Sequence, residues 1–324
     1  MNLFSIFSLY FSRTHLTQNI WAMTKKFFAI LGVVELILNV ASYFIQNSNG
    51  LRLPWTGLII LLIALFALAF FSTKPQYKVS YMLDRTDVKI TVQLGDVFSG
   101  QGDLVVACNR TFDTSIESQA LPANSVQAQY QRKMFSGDVS TLNRALVVEL
   151  AAFAGESNDN GFDNGKKEKY DVGTMARITH RDGNAYFVAF SETDKRGKRS
   201  VSLKNFRKGL VVMWNRFAEI GFPPMLKMPV LCSGTAGLAL SREEIIKEIV
   251  FSFVNFARAK KIRQNLSIYV NPNDIDCSDF DMRRLAKFLE LACAGDLMSV
   301  SDPGRDQDGS VAIVAGVGMI KEEG

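Results

Sequence analysis

Two long apolar runs near the start of the chain constrain its structure most. They are FFAILGVVELILNVASYFI at residues 27–45 and WTGLIILLIALFALAFF at residues 55–71. Each comes close to the ~20 apolar residues that a helix needs to cross the hydrocarbon core of a bilayer. Helices in a soluble core are usually amphipathic, whereas residues 55–71 are apolar all round. The sequence therefore predicts two transmembrane helices, at about 27–45 and 54–71, within residues 25–73; two buried core helices are the alternative.

The basic residues around these runs predict an orientation. Residues before the first run and after the second contribute Arg13, Lys25, Lys26, Lys74 and Lys78, whereas the connecting loop carries Arg52 alone. The positive-inside rule then places both flanks in the cytoplasm of a protein that crosses the inner (plasma) membrane twice. Residues 1–24 are interpreted as an N-terminal segment that forms an interfacial helix, with Trp21 at the level of the headgroups.

The first run contains two polar residues, Glu35 and Asn39. Their spacing of four places them on one face of a helix. A charged group at the bilayer centre costs about 2.5–3.5 kcal/mol on insertion scales, so a carboxylate there is expected to be protonated, paired or exposed to water. Two interpretations stay open: a membrane interface or pore lining in a homo-oligomer, or a neutral Glu35 that is hydrogen-bonded within the helical pair.

The rest of the chain has the composition of a folded domain. With 48% hydrophobic and 21% charged residues overall, residues 77–324 can form one large core. The net charge of +5 is modest, and the basic run at 195–199 is interpreted as a solvated turn, so no nucleic-acid partner is predicted. The four cysteines show no C-x-x-C spacing, and His15 and His180 are the only histidines. A histidine-rich metal site is therefore excluded, and no cofactor is expected.

Strand and helix patterns alternate along this domain. Strands are predicted at 77–83 and 88–94 (a hairpin), 103–109, 173–180 and 184–191 (a second hairpin), 225–234, 266–272 and, late in the chain, 311–320. Helices are predicted at 201–220, from Ser241 with Glu244 completing a capping box, and at 279–294. Residues 155–169 read as an exposed insertion loop. Together these patterns predict an α/β fold, a three-layer αβα sandwich with a mixed sheet.

Three short segments follow predicted strands, where ligands of α/β sheets usually bind. They are Gly95–Phe98, Cys108–Thr114 and Cys232–Leu240. In the last segment, a run of small residues allows backbone N–H groups to approach an oxyanion; it consists of Ser233, Gly234, Thr235, Ala236 and Gly237, with Leu238 next. Because Glu243 and Glu244 would repel a phosphate on the helix axis, the loop amides are expected to hold a diphosphate. An ordinary strand-to-helix glycine turn is the alternative.

The other two segments offer polar side chains. Asp96, followed by Val97, can accept a hydrogen bond from an exocyclic amine such as that of adenine; a turn-forming aspartate is the alternative. Asn109, Thr111 and Asp113, with Phe112 between them, supply an amide, a hydroxyl and a carboxylate that match ribose hydroxyls. Helix capping or turn formation is the alternative for these three.

The order of these motifs resembles the macro domain, a fold that binds ADP-ribose and its derivatives. The resemblance covers roughly residues 77–300. It implies that Asp96 contacts adenine, that Asn109 lies beside the distal ribose, and that the loop at 233–238 cradles the diphosphate. Hydrolytic macro domains carry an Asn–Asn pair, whereas Asn109 here is followed by Arg110, so no hydrolytic site is carried over.

Further motifs narrow the resemblance. The two apolar runs, FDT at 112–114, GT at 173–174 and FSETD at 190–194 resemble the membrane effectors of Thoeris anti-phage defence systems. That resemblance implies a TIR-domain enzyme that converts NAD into an ADP-ribose-based signal, and an effector that binds the signal and injures the membrane. The chain is accordingly expected to be a sensor and not an enzyme. A membrane-tethered ADP-ribosyl hydrolase and a passive anchor with a binding module are the alternatives.

Overall fold

A computed structural model describes residues 13–44, 55–73, 76–116, 121–158, 162–180, 183–234, 237–272 and 280–295. The predicted interfacial segment before residue 13, the loop at 45–54 and the predicted strand at 311–320 lie outside these ranges. Two helices come first, α1 at Arg13–Phe44 and α2 at Trp55–Ser72. An α/β domain follows.

Helices α1 and α2 pack against each other. The ring centroids of Phe27 and Phe66 lie 6.2 Å apart, and Lys26 Nζ donates to the Ser72 carbonyl at 2.9 Å. Within the described residues, however, no helix combines the length and the apolarity that crossing a membrane requires. The prediction of a helical pair is therefore met, but the prediction that the two helices span a membrane is not supported.

The α/β domain is built on one eight-stranded mixed sheet. Its strands are β1 (Lys78–Met82), β2 (Lys89–Leu94), β3 (Asp103–Asn109), β6 (Met175–His180), β7 (Gly183–Thr193), β8 (Arg199–Ser200), β9 (Met225–Pro229) and β10 (Asn265–Val270). The order is β1-β2-β10-β9-β3-β7-β6, with β8 paired to β7. Strands β2, β10, β9, β3 and β7 are mutually parallel, and β1, β6 and β8 pair antiparallel. The mixed sheet and both hairpins are as predicted.

Helices cover the sheet on both faces. On one face lie α5 (Leu203–Ile220), α6 (Arg242–Lys260) and α7 (Met282–Ala294), and on the other α3 (Val126–Phe135) and α4 (Val139–Leu150). Each face has its own buried cluster: Trp214 and Phe253 belong to the first, Tyr130 and Phe187 to the second. Because apolar side chains of the strands alternate between the two clusters, the sheet is buried on both sides. The three-layer fold predicted from the sequence is confirmed.

The start of α6 follows from its sequence. The Ser241 hydroxyl accepts the Glu244 N–H at 3.2 Å, and the Ser241 N–H donates to Glu244 Oε2 at 2.7 Å. This reciprocal capping box satisfies two N–H groups at the helix start that have no partner within the helix. It was predicted and is confirmed, and it fixes where the loop after β9 ends.

The sequence analysis missed α3 and α4. Ser125 and Asp138 cap them through side-chain oxygens. Leu142, Leu146 and Leu150 recur every four residues and are buried against the sheet. These signals are visible in the sequence. The segment predicted as an insertion loop also contains a short antiparallel pair, β4 (Glu156–Ser157) with β5 (Glu168–Lys169).

Packing of α4 on the sheet predicts a difference between two of its residues. Leu146→Ala removes a fully buried side chain and should lower the free energy of unfolding by about 2–5 kcal/mol, because a cavity remains. Val148→Ala, on the same helix but 73% exposed, should change it by no more than about 0.5 kcal/mol. Urea denaturation measures both, and equal effects would contradict this packing.

Candidate functional site

The parallel strands bring the three predicted segments to one edge of the sheet. Asp96 follows β2, residues 110–114 follow β3, and residues 230–234 follow β9. Since β2, β10, β9, β3 and β7 are neighbours in that order, their carboxyl ends form a continuous edge. This edge is where ligands bind in open α/β sheets.

Asp96 lies at the β2 end of this edge and is exposed. Its Oδ1 accepts the Phe98 N–H at 3.0 Å, and its Oδ2 receives Lys133 Nζ at 2.9 Å. The Lys133 ammonium also lies 4.4 Å from the centre of the Phe98 ring. Burial alone would raise the pKa of Asp96, but the hydrogen bonds from Lys133 and Phe98 and the charges of Lys133 and Lys227 hold it below its ordinary value. The carboxylate is therefore ionised at neutral pH.

The segment that follows Asp96 is hydrogen-bonded to a side chain of the sheet. Lys227 of β9 is buried, and its Nζ donates to the Gly100 carbonyl. A Cβ atom at Gly100 would lie 2.0 Å from the Tyr269 hydroxyl, so a larger residue there would force the Tyr269 side chain to move. Burial lowers the pKa of Lys227, and the charges of Asp103 and Asp96 act against this. Val97, a predicted ligand contact, is buried beneath this segment.

Asn109, Thr111 and Asp113 form a closed network at the end of β3. The Asn109 amide nitrogen lies 2.8 Å from Thr111 Oγ1, 2.6 Å from Asp113 Oδ2 and 3.0 Å from Thr193 Oγ1. Asn109 Oδ1 accepts the Asp113 N–H at 2.9 Å. Asp113 Oδ1 accepts the Lys166 N–H at 2.7 Å. Each of the three predicted ribose contacts is therefore buried and bonded to the others.

This network has the geometry of the turn-forming alternative. Phe112 is fully buried and has a φ of 49°, in the left-handed region, at the turn between Asn109 and Asp113. Its carbonyl accepts Lys166 Nζ at 2.8 Å. Contact of these side chains with a ribose stays a prediction, but the geometry favours a role in shaping the loop, since their hydrogen-bonding groups already have partners.

The loop after β9 is the most open of the three segments. Ser233 Oγ donates to the Val230 carbonyl at 2.9 Å, and the Gly237 N–H donates to the Gly234 carbonyl at 3.1 Å. Gly237 has a φ of 65°, whereas a Cβ at Gly234 would meet no atom of the described residues within 4 Å. Leu238 is buried and anchors the loop to the core. Thr235 and Ala236 lie outside the described residues.

Buried cations and thiols lie beneath this edge. Arg199 is buried, although the run at 195–199 was predicted to be solvated; its carbonyl lies 3.7 Å from the Cβ position of Gly237. Burial lowers the pKa of Arg199, and the negative charge of Asp113 opposes this. Burial also raises the pKa of Cys108, and it raises that of Cys232 to about 12. Both thiols are thus protonated at neutral pH and poor nucleophiles.

The sequence analysis missed Lys133, Lys227 and Arg199. No sequence pattern near them indicates a site. Lys133 is on a helix that was not predicted. Lys227 and Arg199 lie near the loops only because strand pairing brings distant parts of the chain together. The two polar residues assigned to a membrane interface, Glu35 and Asn39, are exposed on α1. Their assignment stays a prediction.

A three-layer sandwich with these loops at the carboxyl edge of its parallel strands has the organisation of a macro domain. The family described as "Thoeris protein ThsA, Macro domain" matches residues 90–271, more than half of the sequence. The chain belongs to this family.

Known proteins resemble the chain at lower levels of identity. The Thoeris protein ThsA of Bacillus amyloliquefaciens (strain Y2) is 22% identical over 181 residues, which are 55% of this chain and 57% of that protein. A macrodomain of Oceanobacillus iheyensis is 9% identical with a TM-score of 0.45, covering 69% of this chain and 100% of its own. The macrodomain of Mycobacterium tuberculosis DarG is 15% identical with a TM-score of 0.37, covering 56% and 96%.

The buried network predicts a large effect on stability. Asp113→Ala should lower the free energy of unfolding by about 2 kcal/mol or more, because Asn109, Thr111 and the Lys166 N–H would lose a buried acceptor. The control Asp163→Ala removes an exposed carboxylate and should change the free energy of unfolding by no more than about 0.5 kcal/mol. Urea denaturation of both variants makes the comparison. If Asp113→Ala is as stable as the control, the network does not hold the loop.

Proposed function

We propose that this chain is a receptor for an ADP-ribose-type signal nucleotide. The observation that carries the proposal is the open loop after β9, on the same edge of the sheet as the ionised Asp96. At Gly234 the backbone is exposed, with no side chain of the described residues near its Cβ position. Backbone N–H groups in a turn of small residues can surround a phosphate closely. Membership of the ThsA macro domain family supports the same ligand class.

The parts of the ligand are assigned to different loops. The diphosphate would lie on the amides around Gly234, and the adenine amine would donate to Asp96. Between these two loops runs the carboxyl end of β10, at Val270, whose carbonyl accepts the Gly95 N–H at 2.9 Å. The residues around Asn109 would contribute mainly by holding the neighbouring loop in shape.

We assign the chain a binding role and no catalytic one. A thiol nucleophile is disfavoured because burial raises the pKa of both Cys108 and Cys232. His180, the histidine of the domain, has its Nδ1 3.1 Å from the Tyr130 hydroxyl on the second face of the sheet. Asn109 is buried in its own network.

The proposed signal comes from a partner, and the proposed response takes place at a membrane. Among Thoeris proteins, a TIR-domain enzyme would make the nucleotide from NAD. The helical pair supports association of a homo-oligomer with a lipid bilayer, because it exposes large apolar side chains. They include Phe28, Leu36, Ile60, Ile63 and Phe66. Binding at the macro domain would rearrange the oligomer and disrupt or depolarise the membrane from its cytoplasmic side.

Gly234→Val should weaken nucleotide binding. Within the part of the chain that the structure describes, the added side chain meets no atom within 4 Å at its Cβ, so the fold should persist while the branched group occupies the phosphate position. We expect ADP-ribose affinity to fall at least about tenfold, which is about 1.4 kcal/mol, with a smaller loss for Gly234→Ala. Thermal-shift titration and calorimetry measure binding. The ligand panel is NAD, ADP-ribose, cyclic ADP-ribose isomers and amino-acid conjugates of ADP-ribose.

Two outcomes of this experiment would contradict the proposal. Parental affinity in Gly234→Val would show that the phosphate lies elsewhere. Turnover of ADP-ribosylated substrates by the parental chain, lost in an Asn109 variant, would make the chain a hydrolase. The melting temperature without ligand, unchanged from parent to variant, serves as the folding control.

The helical pair should bind lipid vesicles through its exposed apolar residues. Replacing Phe28 and Ile60 by Ser removes two large exposed side chains and should weaken flotation with phosphatidylglycerol-containing vesicles, because less apolar surface leaves water. The matched control replaces Val147 and Val148 on α4, which are also exposed, and should float like the parent. Equal flotation of both variants would argue against association through α1 and α2.

A further inference from the structure

Lys133 contacts both groups that a nucleotide base would use in this part of the site, the Asp96 carboxylate and the Phe98 ring. Its ammonium lies 2.9 Å from Asp96 Oδ2 and 4.4 Å from the centre of the Phe98 ring. A base needs a carboxylate oxygen to accept its exocyclic amine and an aromatic face on which to stack. In this structure the Lys133 ammonium occupies both groups. It makes a charge-assisted hydrogen bond with Asp96 and a cation–π interaction with Phe98.

Lys133 also belongs to the helix that links two of the three loops. At the first turn of α3, Gln127 Nε2 donates to the Asp113 carbonyl at 2.7 Å. At its last turn, Lys133 holds Asp96. Helix α3, which packs on one face of the sheet, therefore contacts both the loop after β3 and the loop after β2.

The packing of α3 leaves hydrogen-bonding capacity unused. Gln127 Oε1 and Gln131 Oε1 are buried and, among the described residues, receive no hydrogen bond. They lie one helical turn apart, on the buried side of α3. Buried carbonyl oxygens without a donor are unfavourable, so the observed position of α3 does not satisfy all its polar groups.

We propose that Lys133 is a specificity-determining residue that competes with the base of the nucleotide for Asp96 and Phe98. Binding of the base displaces the ammonium and removes the contact of the last turn of α3 with the loop after β2, while Gln127 keeps the first turn on the Asp113 loop. Lys133 thereby lowers affinity and makes the position of α3 depend on the ligand. This inference rests on the proposed function, since it names what happens at the proposed base subsite.

Titration of the full chain with ADP-ribose tests the proposal. Lys133→Met keeps the length of the side chain and removes its charge, and it should tighten ADP-ribose binding by about tenfold, the combined strength expected of an exposed ion pair and a cation–π contact. Inorganic pyrophosphate, which has no base, should not bind more tightly to Lys133→Met. Lys260→Met removes the same charge from an exposed position at the end of α6 and should leave both affinities unchanged.

A double-mutant comparison separates competition from a general charge effect. In an Asp96→Asn background, Lys133→Met should tighten ADP-ribose binding by clearly less than about tenfold, because the ion pair is already gone and only the cation–π contact with Phe98 remains to be removed. Unchanged or weaker binding of ADP-ribose by Lys133→Met would overturn the proposal, as would tighter binding of pyrophosphate. If the parental chain and all variants bind no ADP-ribose, the proposed function itself fails; parental binding with an unaffected Lys133→Met refutes only this inference.

Discussion

Parallel pairing of five neighbouring strands is the constraint on which the rest of the structure depends. Because β2, β10, β9, β3 and β7 run in one direction, their following loops gather at one edge although they are far apart in the chain. Parallel strands also require helices on both faces, and the two buried clusters meet that requirement. Asp96, the Asn109 network and the Gly234 loop are neighbours for this reason alone.

Much of this arrangement could be predicted from the sequence, because strands and capped helices leave local patterns. The buried strand β3 and the Ser241 capping box were found at the predicted residues. Pairings between distant residues leave no such pattern: the ion pair of Lys133 with Asp96 spans 37 residues, and the contact of Lys227 with Gly100 spans 127. The uniform apolarity of the two runs predicted that α1 and α2 form a helical pair. It was not sufficient to establish that they span a membrane.

The polar residues after β3 show how residue type can mislead about role. An amide, a hydroxyl and a carboxylate within five residues match the chemistry of ribose recognition, and they match one another equally well. In the folded chain Asn109 and Asp113 bond to each other at 2.6 Å and are buried. A buried polar group with its partners in place contributes rigidity more readily than it contributes ligand contacts. Asp96 differs because it lies at the surface, where its ionised carboxylate can exchange partners.

The first strand of the α/β domain begins beside the proposed base subsite. Strand β1 is antiparallel to β2 and therefore begins at the carboxyl edge, where the Leu94 N–H donates to the Tyr77 carbonyl at 2.8 Å. The next residue, Gly95, leads directly to Asp96. The chain from α2 thus enters the domain within two residues of the loop that contains Asp96 and Phe98. A nucleotide that changes the partner of Asp96 acts next to this connection, so coupling to α1 and α2 would need no long path through the core. Such coupling does need a ligand that binds the loop with the Lys133–Asp96 ion pair and the loop without it with different affinities. A ligand with equal affinity for both states shifts no population.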